Sequence, residues 1–368
     1  MSIDQLEGLG SRLGAAFPSL APRGRGRGLR AAGIVLFAAL AANALLVLLS
    51  RNAAPTRPGY LAAAVLLALV PWLTNALRLR IWGRFAGSDL GMRDAFRITV
   101  ASDLGAALTP TAAGSGAVRL AMLLRRGLSA GRSSAVLLVM AAEDTLFFAA
   151  FLPAAFFLAP GAQGDALRAA ALRAADRAGW VLLGAAALGL GSALLWRRAR
   201  LGGLRARLRH AAGDARDVLA LVVRRGKLRA LVSLTLTAVQ WIARYSVATA
   251  VLAAFGVGAD PVLQILLQWA VFTAGTFVPT PGGAGAVEGA FAALYAPFVP
   301  GALLGAVTAA WRCVLFYLVV ALDVAVLAGF VLARRPRRSR TLEARRTSRS
   351  WSGSSDDLAA PVRKGLIP

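Results

Sequence analysis

Six charged side chains stand inside otherwise apolar stretches of this 368-residue chain: Glu143, Asp144, Arg244, Glu288, Arg312 and Asp323. If those stretches cross a bilayer, each charge costs roughly 2.5–3.5 kcal/mol at a helix centre for Arg, Lys or Asp. Each therefore needs a partner, a wet cavity or a task. Two decapeptides collect most of the chemistry. The run from Pro279 to Glu288 reads Pro-Thr-Pro-Gly-Gly-Ala-Gly-Ala-Val-Glu, and the run from Pro110 to Arg119 reads Pro-Thr-Ala-Ala-Gly-Ser-Gly-Ala-Val-Arg. Aligned without gaps they agree at six of ten positions and end on opposite charges, which marks an internal repeat. Proline removes a backbone donor and glycine favours turns and close approach, so both runs should break helices. After the second break, Ala284-Gly285-Ala286-Val287-Glu288-Gly289 can start a short half-helix whose positive end attracts anions.

Arg119 and Glu288 are expected to occupy equivalent places on opposite sides of one cavity. A guanidinium suits bidentate recognition of phosphate, so Arg119 would take a phosphate. Glu288 would hold a cationic headgroup or a proton. The alternative is that Glu288 pairs permanently with Arg244 or Arg312 and only ties helices together, and those two arginines stand open between the roles. Asp323 and the pair Glu143–Asp144 read as structural. Gly283-Ala284-Gly285-Ala286-Val287-Glu288 imitates a dinucleotide fingerprint, but its third glycine is missing and no strand precedes it. Gly285 and Gly289 form a small-residue face for helix packing.

The elements that must position these groups follow from composition. With 58% hydrophobic residues and a mean hydropathy of +0.64, the chain lies above the roughly 45–50% apolar content of soluble domains. Several uncharged stretches reach the roughly 18–25 residues that cross a bilayer. The reading is an all-α polytopic membrane protein with about six full transmembrane helices and two re-entrant broken-helix hairpins. Full spans are expected near 31–50, 59–77, 133–159, 179–196, 230–255 and 301–333, with re-entrant segments at 98–118 and 262–299. One Cys and one His leave no disulfide framework and no metal cluster, and no cofactor is expected. No nucleophile–base arrangement or nucleotide loop appears, so no enzyme is expected.

The net charge of +25 is distributed in a way that argues against nucleic acid. Of 42 Lys and Arg, 35 lie in the N-terminus, in 78–97, 119–132, 197–229 and in the tail. Cytoplasmic loops carry such an excess, so both termini should face the cytoplasm, and anionic lipid headgroups explain the basic segments. This organises the chain as a basic N-terminus (1–30), a membrane domain (31–333) with inverted repeats at about 59–158 and 230–333, and a disordered basic tail (334–368). Broken helices in matching halves of such a repeat point to a transporter's substrate site.

The order Asn75-Ala76-Leu77-Arg78, then Pro110–Arg119 with Leu123-Leu124-Arg125-Arg126, then Pro279-Thr280-Pro281-Gly282-Gly283-Ala284-Gly285 with Glu288, resembles a family of bacterial and archaeal membrane proteins. That family is related to the membrane (flippase) domain of lysyl-phosphatidylglycerol synthase, and the resemblance covers about residues 30–333. It implies an integral membrane lipid translocase in the cytoplasmic membrane of a prokaryote, moving aminoacylated or other phospholipids between leaflets. Carried over by position, Pro279, Pro281, Gly282, Gly283, Gly285 and Glu288 match the second motif, and Pro110, Gly114 and Arg119 the first. The chain departs from the family at Ala112, Gly116 and Thr145, where a basic residue, an acidic residue and an Asp-Arg pair are common. The soluble aminoacyl-transferase domain of the full synthase is not expected, since only 35 polar residues follow position 333.

Three functions follow as expectations. The first is a lipid flippase working by alternating access, with Arg119, the broken hairpins, Glu288, Arg244 and Arg312 around the substrate. It is tested by Glu288→Gln and Arg119→Ala, which should lose transport. The second is a secondary transporter of a small soluble anion, with Glu288 carrying a coupling proton. The third is a non-transporting scaffold that recruits a partner through its basic loop and tail. Membrane phospholipids are the expected partners, nucleic acid is not, and a homo-oligomer is left open.

Overall fold

Helix α1 (Gly59–Phe85) runs through both halves of the core. A computed structural model describes residues 54–109, 112, 114–158, 165, 213, 216–217, 219–276, 280 and 282–333. The spans expected at 31–50 and 179–196, the N-terminus and the tail lie outside the described residues. So do Pro110, Pro279 and Pro281. The described part is helical and holds no strand. Up to Leu327 it belongs to one compact unit; of Ala328–Pro368, the described residues 328–333 are helical.

After α1 come α2 (Met92–Leu108), α3 (Gly114–Leu124) and α4 (Ala130–Leu158). The second half holds α5 (Lys227–Ala254), α6 (Pro261–Thr276), α7 (Ala286–Tyr295) and α8 (Gly301–Arg312). A π-helical turn, Cys313–Leu318, joins α8 to α9 (Val319–Ala333). Among the described residues, three helices are long and apolar enough to cross a membrane: Gly59–Phe85, Ala130–Phe157 and Gly301–Phe330. At 1.5 Å per residue each exceeds the roughly 30 Å of a hydrocarbon core.

Two apolar clusters hold the bundle together, and α1 contributes to both. Its first half buries Ala64 and Ala68 against Val247, Ala248 and Val251 of α5, in a cluster that also takes Phe291 of α7 and Trp311 of α8. Its second half buries Trp72, Ala76, Leu79 and Trp82 with Ile98 of α2, Val118 of α3 and Val136 of α4. Alanines on the facing sides let backbones approach closely, which is how helices associate where lipid is as apolar as leucine. Gln268 of α6 locks the first cluster's polar edge: its Nε2 donates to Tyr295 Oη at 2.8 Å and its Oε1 accepts from Trp311 Nε1 at 3.0 Å.

Both decapeptides fall at helix breaks, each braced by a threonine hydroxyl, though Thr109 and Thr280 are not equivalent positions of the repeat. Thr109 Oγ1 donates to Gly105 O and accepts from Gly114 N, each at 2.8 Å, so one hydroxyl joins the end of α2 to the start of α3. In the other half Thr280 Oγ1 donates to Ala284 O at 3.0 Å. Val118 and Val287, equivalent in the repeat, each pack on a glycine of the preceding helix, Gly105 and Gly275. The breaks differ in length. Helix α3 starts at Gly114, whereas Gly282, Gly283 and Gly285 all take positive φ and delay α7 to Ala286.

One boundary corrects the sequence reading. The second span does not end near 77 but continues to Phe85, so Arg78, Arg80 and Arg84 belong to α1 rather than to a basic loop. Arg78 is fully buried.

Candidate functional site

The buried charges are settled in two places. In the first, Arg78 is clamped between helices. Its Nε and Nη2 donate to Glu143 Oε2 at 3.1 and 3.0 Å, and Nη1 donates to Asp144 Oδ1 at 3.0 Å and to Gln240 Oε1 at 3.1 Å. Nη2 also donates to Met140 O at 2.8 Å. Glu143 is completed by Trp82 Nε1 and Ser233 Oγ, and Asp144 by Trp241 Nε1. Every strong donor and acceptor here has a partner, the condition for keeping ions in a dry interior. This network fastens α1, α4 and α5. The sequence reading missed its cation and its neutral members. One signal was present: Arg78 is one helical turn from Trp82 in an apolar run.

The second place is the break before α7. Arg312 Nη2 donates to Gly282 O at 2.6 Å, and the guanidinium lies over the Phe316 ring at 4.2 Å. Its Nε is 2.8 Å from Glu288 Oε1, close but off the angle of a hydrogen bond. Glu288 Oε2 accepts from Gly285 N at 2.8 Å. Glu288 is thus the third residue of α7 folded back on its own helix start, where an acidic side chain is favoured. Phe316 lies in the π-helical turn, a feature that clusters at functional positions.

Between the two halves opens a cavity of about 200 Å³ whose charged lining residues are Asp103, Arg244, Arg312 and Asp323. Gly282 and Gly283 of the second break and Ala112 of the first reach it, with an apolar wall that includes Phe272, Leu315 and Phe316. Arg244 lies over Phe272, 5.2 Å from the ring centroid; among the described residues no carboxylate forms a salt bridge with it, and Asp103 meets it through space.

The expected site residues divide accordingly. Gly282, Gly283, Arg244 and Arg312 line the cavity. Gly285 sits at the start of α7 with open space around it, and Gly114 is packed against Gly105 and Thr109. Arg119 and Glu288 do not occupy opposite walls of one cavity, and this expectation is corrected. Glu288 is turned to Arg312 and the helix start. Arg119 is half-buried beside Met140, with its Nη1 3.9 Å from the sulfur, and it acts on Asp103 through space. The α7 start is no open anion seat either: Gly283 N donates to Thr280 O and Gly285 N to the Glu288 carboxylate. The spacing of charges nonetheless repeats, with Arg119 to Glu143 and Glu288 to Arg312 both 24 positions apart and of opposite order. The departure at Gly116 is accommodated, since a side chain added there meets nothing.

A helical bundle with long apolar spans and two interrupted helix pairs around a charged cavity defines an integral membrane protein with multiple helical spans. The chain belongs to the family described as the lysylphosphatidylglycerol synthase TM region, whose model matches residues 26–322. It is also similar to a UPF0104 membrane protein of Archaeoglobus fulgidus, with 24% identity over 269 residues, 70% of this chain and 82% of that relative. The family read from the two motifs is therefore the family of this chain.

Proposed function

We propose that this protein is a lipid transporter that moves a phospholipid, or a modified phospholipid such as an aminoacylated one, between membrane leaflets. The observation that carries the reading is Arg244, a guanidinium that faces a cavity between two broken helix pairs and, among the described residues, makes no salt bridge, meeting Asp103 only through space. A phosphate entering the cavity finds Arg244 outside any such salt bridge, whereas Arg312 is held by Glu288 and Gly282. A volume of about 200 Å³ suits a phosphate and a small headgroup with the acyl chains outside. The family's description names the membrane region of a protein that makes a lysyl phospholipid, which supports a lipid substrate.

In this reading α2–α3 and α6–α7 are re-entrant hairpins dipping from opposite faces, within an inverted repeat of about 59–158 and 230–333. About six full spans complete the domain, and both termini face the cytoplasm of a prokaryotic cell. The protein performs no catalysis of its own, and its basic segments meet anionic headgroups.

The test is leaflet exchange of a fluorescent-headgroup phosphatidylglycerol in liposomes, read by an impermeant quencher. Arg244→Ala removes a charge-assisted contact of roughly 1.5–3 kcal/mol, so exchange should fall about ten-fold or more at unchanged thermal stability. Wild-type exchange in Arg244→Ala would remove the phosphate from this cavity. Uptake of inorganic phosphate without lipid exchange would instead select transport of a soluble anion.

A further inference from the structure

Asp323 is the one acidic group of the cavity that the fold leaves bare. It is 1% exposed, and both of its carboxylate oxygens are buried without a hydrogen-bond partner. It lines the same cavity as Asp103, and the two carboxylates act on each other. The other charged groups around it belong to other tasks. Arg312 of α8 is turned to Glu288 and Gly282, Arg244 of α5 lies over Phe272, and Arg78 of α1 is consumed by Glu143 and Asp144. Arg119 of α3 and Arg244 both act on Asp103 through space. Among the described residues, no histidine or lysine lines the cavity.

Asp103 is met through space by Arg119 and Arg244, but among the described residues Asp323 has no such counter-charge, and a carboxylate buried without one needs a bound cation. A metal ion would need several further oxygens, and the one backbone carbonyl shown reaching toward a cavity cation, Gly282 O, is occupied by Arg312. The wall is otherwise largely apolar. A proton needs only one of the carboxylate oxygens. We propose that Asp323, together with Asp103, is the proton-binding centre of this transporter, and that a proton taken up there travels with the anionic substrate.

The coupling follows from charge. A phosphate drawn to Arg244 must sit in a cavity that holds two carboxylates, and protonating one of them removes the repulsion. Proton and phosphate then favour each other's binding by the same factor. The proton comes from water on the side to which the cavity is open and returns to water on the other side, bound meanwhile to a carboxylate oxygen. This places the proton on α9 rather than on Glu288, whose carboxylate is already engaged twice. The inference rests on the transport reading above for its purpose, but not for its detection.

Two measurements separate them. Infrared difference spectra of the purified full chain in nanodiscs, stepped through pH, should show a protonated-carboxyl band that Asp323→Asn removes. Asp103→Asn should leave the band but shift the pH at which it titrates. In liposomes, a gradient of one pH unit should change the steady-state distribution of fluorescent phosphatidylglycerol, or the accumulation of inorganic phosphate, by about ten-fold for one coupled proton. In Asp323→Asn the distribution should ignore the gradient. A wild-type spectrum without a band that depends on Asp323 overturns the proton site. A gradient response that survives in Asp323→Asn overturns the coupling. The band with neither lipid nor phosphate movement keeps the proton site and rejects the transport reading.

Discussion

Replacement of Arg78 by alanine should destabilise the protein by about 3–5 kcal/mol, the cost of stripping a buried ion network of its only cation. The side chain is fully buried and satisfies Glu143 and Asp144 at once, with Gln240 and the Met140 carbonyl sharing its remaining donors. Without it, Glu143 retains Trp82 and Ser233 but loses its counter-charge. Against a typical total stability of roughly 5–15 kcal/mol, such a loss leaves little folded protein. The measurement is thermal unfolding of detergent-purified protein by intrinsic fluorescence, for which Trp82 and Trp241 are placed within the network. Arg78→Lys keeps the charge but not the planar fork, and it should fall between wild type and alanine. An alanine variant that melts with the wild type would mean that the network does not hold α1, α4 and α5 together.

Gly282→Ala should abolish transport while leaving a folded protein. At φ 62° the residue sits in the left-handed region, which costs an L-residue about 1–2 kcal/mol. An added Cβ also runs into the Phe316 ring, with Cε2 only 2.6 Å away. That ring supports Arg312, and Arg312 is bonded to the Gly282 carbonyl itself, so one methyl group displaces the cavity's rim. Gly285 supplies the control. Its φ is 84°, yet nothing lies within contact of an added Cβ, so Gly285→Ala should lose stability alone. Leaflet exchange, normalised to folded protein, should fall about ten-fold or more in Gly282→Ala, the equivalent of about 1.4 kcal/mol. Adding Phe316→Ala should restore part of it, because the clash is relieved although the strain remains. Equal exchange in Gly282→Ala and Gly285→Ala would show that contact with Phe316 has no role in function.

The sequence by itself determined what is local. Runs of apolar residues set the long helices near 59, 130 and 301. The clustering of proline and glycine placed breaks between Leu108 and Gly114 and before Ala286, because those residues act on their own backbone whatever surrounds them. Glu143 and Asp144 were legible as acids that need partners, since a charge inside an apolar helix is costly. The motif around Pro279–Glu288 was specific enough to give the family.

Only the tertiary structure decided the partners. Arg78 meets Glu143 across 65 positions and Gln240 across 162, and no periodicity encodes a distance of that kind. Counting it among loop charges was a consequence of reading charge as a boundary, when a buried counter-charge can carry an arginine deep into a span. Arg244 and Arg312 looked equivalent in sequence. Packing gave Glu288 to Arg312, because α7 begins three residues later than the repeat implies and turns Glu288 back on its own start. That delay comes from three glycines in left-handed conformation, and it left Arg244 facing the cavity without a salt bridge. Asp323 read as a structural acid because the sequence shows that a charge is buried; which groups stand within reach of it is a property of the packed helices alone.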